Sequence, residues 1–288
     1  MVIQSLINGL SMGGVYALVS VGLTIIFGVM KVVNFSQGEC LMVGMYMALL
    51  LQRFTGLEPY YLLIPVAAIT FILGVILFRL VIKPLLGKSK ISFMIVTMGV
   101  AFVLVTVMQL IFSPNTQSIN TEIRNIPLMF RGYAAALPRV IACGVMVIVV
   151  FALHQFLKRT DMGRAMRATS ENIEIAQMLG INTTRMFMLS FGLGIMMAGI
   201  TGVLLTPTYL IFPTVGAPFK TVAMACVVMG GLGSVGGAVI GGLLAGIIEA
   251  VLASYISFEL APGGVFLVLI VVLALRPAGL FGKEARKA

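Results

Sequence analysis

A chain of 288 residues that is 60% hydrophobic and 10% charged, with a mean hydropathy of +1.13, carries more apolar surface than a soluble domain hides; soluble chains are nearer about 45–50% apolar. Its net charge of +10 is not gathered into a Lys/Arg cluster interleaved with aromatics. That excludes a nucleic-acid binder and leaves the lysine and arginine bias of a membrane protein's inner loops.

Apolar runs fall at 2–30, 40–51, 60–82, 91–112, 138–157, 186–206, 214–229, 234–256 and 262–276. A helix needs about 20 residues to cross the ~30 Å hydrocarbon core, and most of these runs qualify. The expected fold is all-α, a single polytopic membrane domain over 1–288 with about 8–9 transmembrane helices. The first Lys or Arg is Lys31, so the first run lacks the basic start of a cleavable signal and is expected to stay as a helix.

Two runs, 40–51 and 214–229, are short, and each abuts an interruption: "KVVNFSQGEC" (31–40) and "VMGGLGSVGGA" (228–238). Short, broken segments in both halves are the pattern of discontinuous transporter helices. In the first interruption Asn34, Gln37 and Glu39 form a polar kink with two readings: it lines a translocation path, or it caps the broken helix. An ionised Glu39 in hydrocarbon is costly and belongs at a helix start or facing protein or water. Asn8 and Ser11 share one side of the first span, as path residues or as interhelical glue. Glu249 reads as structural. In the second interruption Gly233, Gly237 and Gly241 are spaced four apart and predict close helix packing.

Placing a crossing at every run puts 31–38, 83–90, 158–185 and 276–288 on one side, which with the snorkelling Arg79 collects 14 of the 19 Lys and Arg residues. That side is expected to be cytoplasmic, with the N-terminus outside and the C-terminus inside. Arg53, Arg124, Arg131, Arg139 and Lys220 are left for the other side, where 113–138 is the largest loop, either a solvated cover or a contact for an external partner.

The 158–185 loop is the main polar segment. Its first part is basic, with Lys158, Arg159, Arg164 and Arg167. Ser170 is then expected to cap a short helix, with Glu171 and Glu174 in its first turn, where carboxylates suit the helix dipole. Ile173, Ala176 and Leu179 share a face, with Met178 beside them. Gly180 ends that helix, and Asn182 or Thr183 caps the next. A helix of about ten residues is not stable alone. Its surface is either lipid and its own bundle or a groove in another protein.

These residues carry a resemblance. Glu174-Ile175-Ala176-x-x-x-Gly180 is similar to the E-A-A-x-x-x-G loop of ABC importer permeases, with Ile175 for the first Ala. "TDMGRAMRATSENIEIAQMLGIN" resembles the cytoplasmic loop of branched-chain amino acid permeases of the LivH family. So do "GLSMGGVYALVSVGLTIIFGVMKVVNFSQGECLMVGMY" (9–46), "GGLGSVGGAVIGGLLAGIIE" (230–249) and "LRPAGLFG" (275–282) in their own regions, with Gln37 and Cys40 as departures. The resemblance implies a permease subunit in the inner membrane. It also implies a second, related permease, two cytoplasmic ATPases that bind ATP with Mg²⁺, an external substrate-binding protein and a branched-chain amino acid substrate. Closely similar permeases handle urea or short amides, and a stand-alone facilitator is the alternative from another class.

The chain's own motifs do not suggest an enzyme. "GKS" at 87–89 ends like a P-loop, but the required glycine at 82 is Ile82. His154, the sole histidine, has no nucleophile in a recognisable setting. No residues are spaced as a metal site, and Cys40, Cys143 and Cys226 sit singly in apolar surroundings, without a C-x-x-C pair. No cofactor is expected in this chain.

Overall fold

A computed structural model describes residues 2–119, 121, 127–130, 133–257 and 259–282. Arg124, Arg131, Lys283, Arg286 and Lys287, counted above in the charge bias, lie outside the described residues. Each apolar run forms a helix. The first two are α1 (Val2–Met30) and α2 (Gln37–Thr55). The third run is a continuous span, Pro59–Leu85, built from a 3-10 turn, α3 (Leu63–Leu77), a π-turn at Phe78–Ile82 and a second 3-10 turn. Then come α4 (Lys90–Phe112) and α5 (Leu137–Arg159). The polar loop supplies α6 (Asp161–Glu171) and α7 (Ile173–Met178), and the remaining runs are α8 (Thr183–Leu205), α9 (Gly216–Gly230), α10 (Val235–Tyr255) and α11 (Ala261–Leu275). The 113–138 loop adds a two-stranded antiparallel hairpin, Pro127–Phe130 with Tyr133–Ala136.

Among the described residues six helices are long and apolar enough to cross a membrane, and the protein is an all-α polytopic membrane protein. Burial divides them. The apolar windows of α1 and α8 are 83% and 78% buried, against 28% or less for the third run, α4 and α5. So α1 and α8 are the central pair, and the others present apolar flanks outward, the inverse of a soluble protein's surface. α1 packs on α10, α8, α5 and α9, while α8 packs on α3, α1 and α2.

Close approach at these contacts comes from glycine. A Cβ on Gly13 would lie 2.8 Å from the Leu243 Cα in α10, and one on Gly44 in α2 would lie 2.6 Å from the Gly199 carbonyl in α8. Gly237 and Gly241 pack against Gly230 and Cys226 of α9. Gly233, expected with them as a packing residue, instead lies ahead of α10 with φ +87° and serves the turn. An L side chain rarely adopts that backbone.

Loops group at two ends. At one, Arg53 donates to Gln117 Oε1 at 2.6 Å, Gln117 pairs with Ile211, and Arg139 donates to Asn8 Oδ1 at 3.4 Å. At the other, Arg79, Lys83, Asn182 and Arg185 line one cavity, and Leu280 N–H bonds the Met229 carbonyl at 2.9 Å. This is the alternation expected from one crossing per run, with one correction. Lys220 does not sit in an end loop, because α9 begins at Gly216 and carries it within the bundle.

Gly44→Leu is expected to overpack the α2–α8 contact and destabilise the protein by about 1–3 kcal/mol. Gly99→Ala and Gly144→Ala, where a Cβ meets nothing within 4 Å, should leave it unharmed. Thermal unfolding in detergent checks this, with a lowered midpoint for Gly44→Leu alone.

Candidate functional site

α1 ends where Lys31 takes φ 58°. The chain then turns back into the bundle on a small polar scaffold. Asn34 Oδ1 accepts from the Ser36 N–H at 3.1 Å and the Ser36 hydroxyl at 2.8 Å, and Asn34 Nδ2 donates to Gln37 Oε1 at 3.3 Å. Gln37 Nε2 donates to the Gly194 carbonyl at 2.9 Å. Gly194 lies halfway along α8, so α2 starts level with the middle of a central helix rather than at its end. Side-chain amides replace the water that a loop end has at a membrane surface, because exposed backbone groups are not tolerated at this depth.

α9 starts at the same level from the opposite direction. Gly216 and Gly38 approach backbone to backbone, leaving no room for a Cβ on either. Phe219 packs on Tyr16 of α1 with ring centroids 6.2 Å apart, and Ser20 donates to the Ala223 carbonyl at 3.3 Å. Two helix N-termini therefore meet inside the bundle, and neither Ser36 nor Val215, the residues preceding them, supplies a side-chain cap. Each start presents amide N–H groups and the positive end of a helix dipole.

Between them is an ion pair. Lys220 Nζ donates to Glu39 Oε1 at 2.7 Å. Glu39 is 6% exposed, and its other oxygen, Oε2, is buried with no hydrogen-bond partner among the described residues. Glu39 and Lys220 line a cavity of about 270 Å³ together with Met98, Ala101, Phe102 and Val105 of α4 and Thr214 and Ala217. A buried ion costs several kcal/mol of lost hydration, so each charge here requires the other.

The polar kink thus divides by role. Asn34 and Gln37 hold the break, while Glu39 faces a cavity. Asn8 is not with them; it lies near the Arg139 end of α1, roughly 20 Å from Gly22 at about 1.5 Å per residue. Ser11 bonds back to the Ile7 carbonyl at 2.9 Å. Glu249 accepts from the Tyr16 hydroxyl at 2.6 Å, a separate contact between α1 and α10. Lys220 is the residue that sequence reasoning misplaced. A signal was there: in "GAPFK" (216–220) Pro218 marks a first helical turn, with Lys220 two residues on.

The polar loop also differs from its expected layout. Thr160 accepts from the Gly163 N–H at 3.0 Å and caps α6, which contains Arg164, paired to Asp161, and Arg167, while Lys158 and Arg159 end α5. Ser170, expected as a cap, is in the last turn of α6 and donates to the Arg167 carbonyl, with Glu171 as that helix's final residue. The cap of the next helix is Asn172, in extended backbone at φ −152° and ψ 114°, accepting from the Ile175 N–H at 3.0 Å. Asn ranks with Ser at this position, and the residue whose backbone leaves the helix takes the role. Glu174 does lie in the first turn of α7. Gly180 closes that turn at φ +79°, and Asn182, not Thr183, caps α8 through the Arg185 N–H at 3.0 Å.

On α7 only Ala176 is buried, at 1% exposure. Ile175 (54% exposed), Met178 (85%) and Leu179 (72%) project outward together with Glu174. The expected shared face of Ile173, Ala176 and Leu179 is therefore split, with Ala176 turned into the protein and the larger apolar side chains turned away.

Residues 5–275 match the family described as branched-chain amino acid transport system, permease component. The high-affinity branched-chain amino acid transport system permease protein LivH of Escherichia coli is 32% identical, over 98% of this chain and 96% of its own. The corresponding protein BraD of Pseudomonas aeruginosa is 31% identical, with the same coverage. A protein of Methanocaldococcus jannaschii described as a probable LivH is 28% identical over 94% of this chain and 89% of its own. No solved structure matches.

Asn172→Ala is expected to remove the α7 cap at about 0.5–2 kcal/mol, whereas Ser170→Ala should do little. Amide hydrogen exchange over 173–179 checks it: faster exchange in the first variant only.

Proposed function

This chain belongs to the branched-chain amino acid transport permease family, and on that premise we propose that it is the membrane subunit of an ABC importer that carries leucine, isoleucine and valine across the inner membrane. It works with a second, related permease, an external substrate-binding protein and two cytoplasmic ATPases. ATP with Mg²⁺ belongs to those ATPases. The end of the bundle bearing α6 and α7 is the cytoplasmic one, which puts the N-terminus outside and the C-terminus inside, following the Lys and Arg bias.

One observation carries the coupling part of this reading. α7 is a capped helix of six residues that turns Ile175, Met178 and Leu179 away from its own bundle, on the end richest in Lys and Arg. A surface of that kind has the form of an amphipathic helix that docks in a groove, with apolar anchors and a charged rim. α7 is joined to α8 by the short Leu179–Asn182 connection and by the Gln177 Nε2 hydrogen bond to Thr183 Oγ1 at 3.0 Å, and α8 holds the start of α2 through Gly194 and Gln37. Movement of α7 by the ATPases is passed to α8, and through it to the cavity beside Glu39. The permease provides two arrangements of this linkage, and the ATPases favour one or the other according to their nucleotide state.

Met178→Asp is expected to leave the permease's own unfolding midpoint unchanged, because Met178 is 85% exposed. It should also reduce ATPase co-purification and leucine uptake by vesicles at least about tenfold, as loss of a central apolar anchor does. Undiminished co-purification and uptake would overturn the coupling role of α7.

A further inference from the structure

We propose that the Glu39–Lys220 pair is the permease's own binding site for the charged end of a zwitterionic amino acid. This rests on the reading above and deepens it. Four observations converge. The pair joins two elements 181 residues apart in sequence, at the point where two uncapped helix N-termini meet. It faces a cavity of about 270 Å³. Glu39, which lines that cavity, keeps its second oxygen, Oε2, buried with no hydrogen-bond partner among the described residues. The rest of its lining is largely apolar, with Met98, Ala101, Phe102 and Val105 of α4.

An amino acid matches each feature. Its ammonium, with three donors, is the group that an unpartnered carboxylate oxygen accepts from. Its carboxylate is attracted by the Lys220 ammonium and by the amide groups at the starts of α2 and α9, as anions are at helix N-termini. A branched aliphatic side chain then lies against the α4 wall. The volume is just below the ~300–1,000 Å³ typical of sites for larger ligands. Opposite charges bind in one orientation, and the helix starts set it: the carboxylate goes toward the amides. A neutral amide such as urea brings no charge to pair with either ion and gains no ion pair here, so this site favours amino acids over that alternative substrate. When the site is empty the two side chains neutralise one another. Zwitterion binding exchanges one ion pair for two, so no bare charge is left in the bundle at either stage.

The test uses the complete transporter, with its binding protein and ATPases, in proteoliposomes taking up labelled leucine. Glu39→Gln and Lys220→Gln are each expected to cut uptake at least about tenfold, as loss of one partner of a buried charge pair does, while the ATPases still co-purify. The charge exchange, Glu39→Lys with Lys220→Glu, should recover assembled protein but not uptake, because the helix starts still demand the original polarity. A pair that serves only structure gives the opposite result, with uptake restored by the exchange. Thr214→Cys in the cavity lining, in a Cys143→Ser background, gives a second readout with both charges in place: leucine should slow maleimide labelling of that thiol. Uptake retained by either single variant, uptake restored by the exchange, or labelling indifferent to leucine each overturns the assignment. If the parent complex takes up no leucine, isoleucine or valine, the substrate reading above fails as well; if the parent transports leucine and the variants do too, only this inference fails.

Discussion

The structure depends on how a protein breaks a helix inside an apolar bundle without leaving backbone polar groups stranded. In hydrocarbon an unsatisfied N–H or C=O costs several kcal/mol. Here Asn34 ties off the turn and Gln37 anchors it to the Gly194 carbonyl. That solution has consequences. It brings the start of α2 to the middle of the bundle, where it meets the start of α9. The two backbones approach so closely that only glycine fits at 38 and 216. The positive ends of two helix dipoles are then held together, and a carboxylate one turn into α2 is favoured electrostatically. Glu39 is that carboxylate, and a buried carboxylate in turn requires a cation.

α8 joins this centre to the rest of the molecule. It is one of the two most buried helices, its midpoint receives Gln37, and Gly199 takes the close approach of Gly44. Contacts of backbone on backbone have no side chain that can adjust, so α2 follows α8 rather than sliding on it. Close-packed interfaces of this sort change between discrete arrangements instead of deforming gradually. The first turn of α8 is capped by Asn182, two residues beyond the Gly180 turn that ends the α7 segment. One helix thus runs from beside the Gly180 turn to the Gln37 anchor.

The apolar runs were legible because length and hydropathy decide a membrane helix almost without reference to neighbours: each run became a helix within a few residues of its expected limits. The break at 31–40 was legible for a related reason, since Asn34, Gln37 and Glu39 stand out against hydrocarbon-like flanks. What the sequence hid was the pairing of the break. The glycine turn near 228–238 looked like its counterpart, yet the counterpart is the 206–215 connection, whose "TPTYLIFPTV" is largely apolar. The count of crossings alone leaves Lys220 on the outer side. Its place in the bundle follows from where α9 begins, and that is decided by tertiary contact with Gly38. In the polar loop the competition between Ser170 and Asn172 for the cap turned on backbone angles, which side-chain preference alone does not determine. Likewise Gly233 was separated from Gly237 and Gly241 by a turn conformation, not by spacing.

The ion pair also constrains how the bundle assembles. Glu39 and Lys220 enter on helices 181 residues apart, each beginning within the apolar interior. An isolated ion at that depth is costly, so α2 is poorly stabilised in place until α9 arrives, and α9 until α2 has formed. The same holds for the backbone, because Gly38 and Gly216 cover one another. Most of the spans between them, by contrast, are apolar along their length and are stable across a bilayer by hydropathy alone. The two broken helices are therefore expected to settle together and late, after α1 and α8 have provided the surfaces they share. A centre that exists only when two distant segments meet is also one that can be opened by moving either segment, and this links the cost of burying these charges to the use proposed for them.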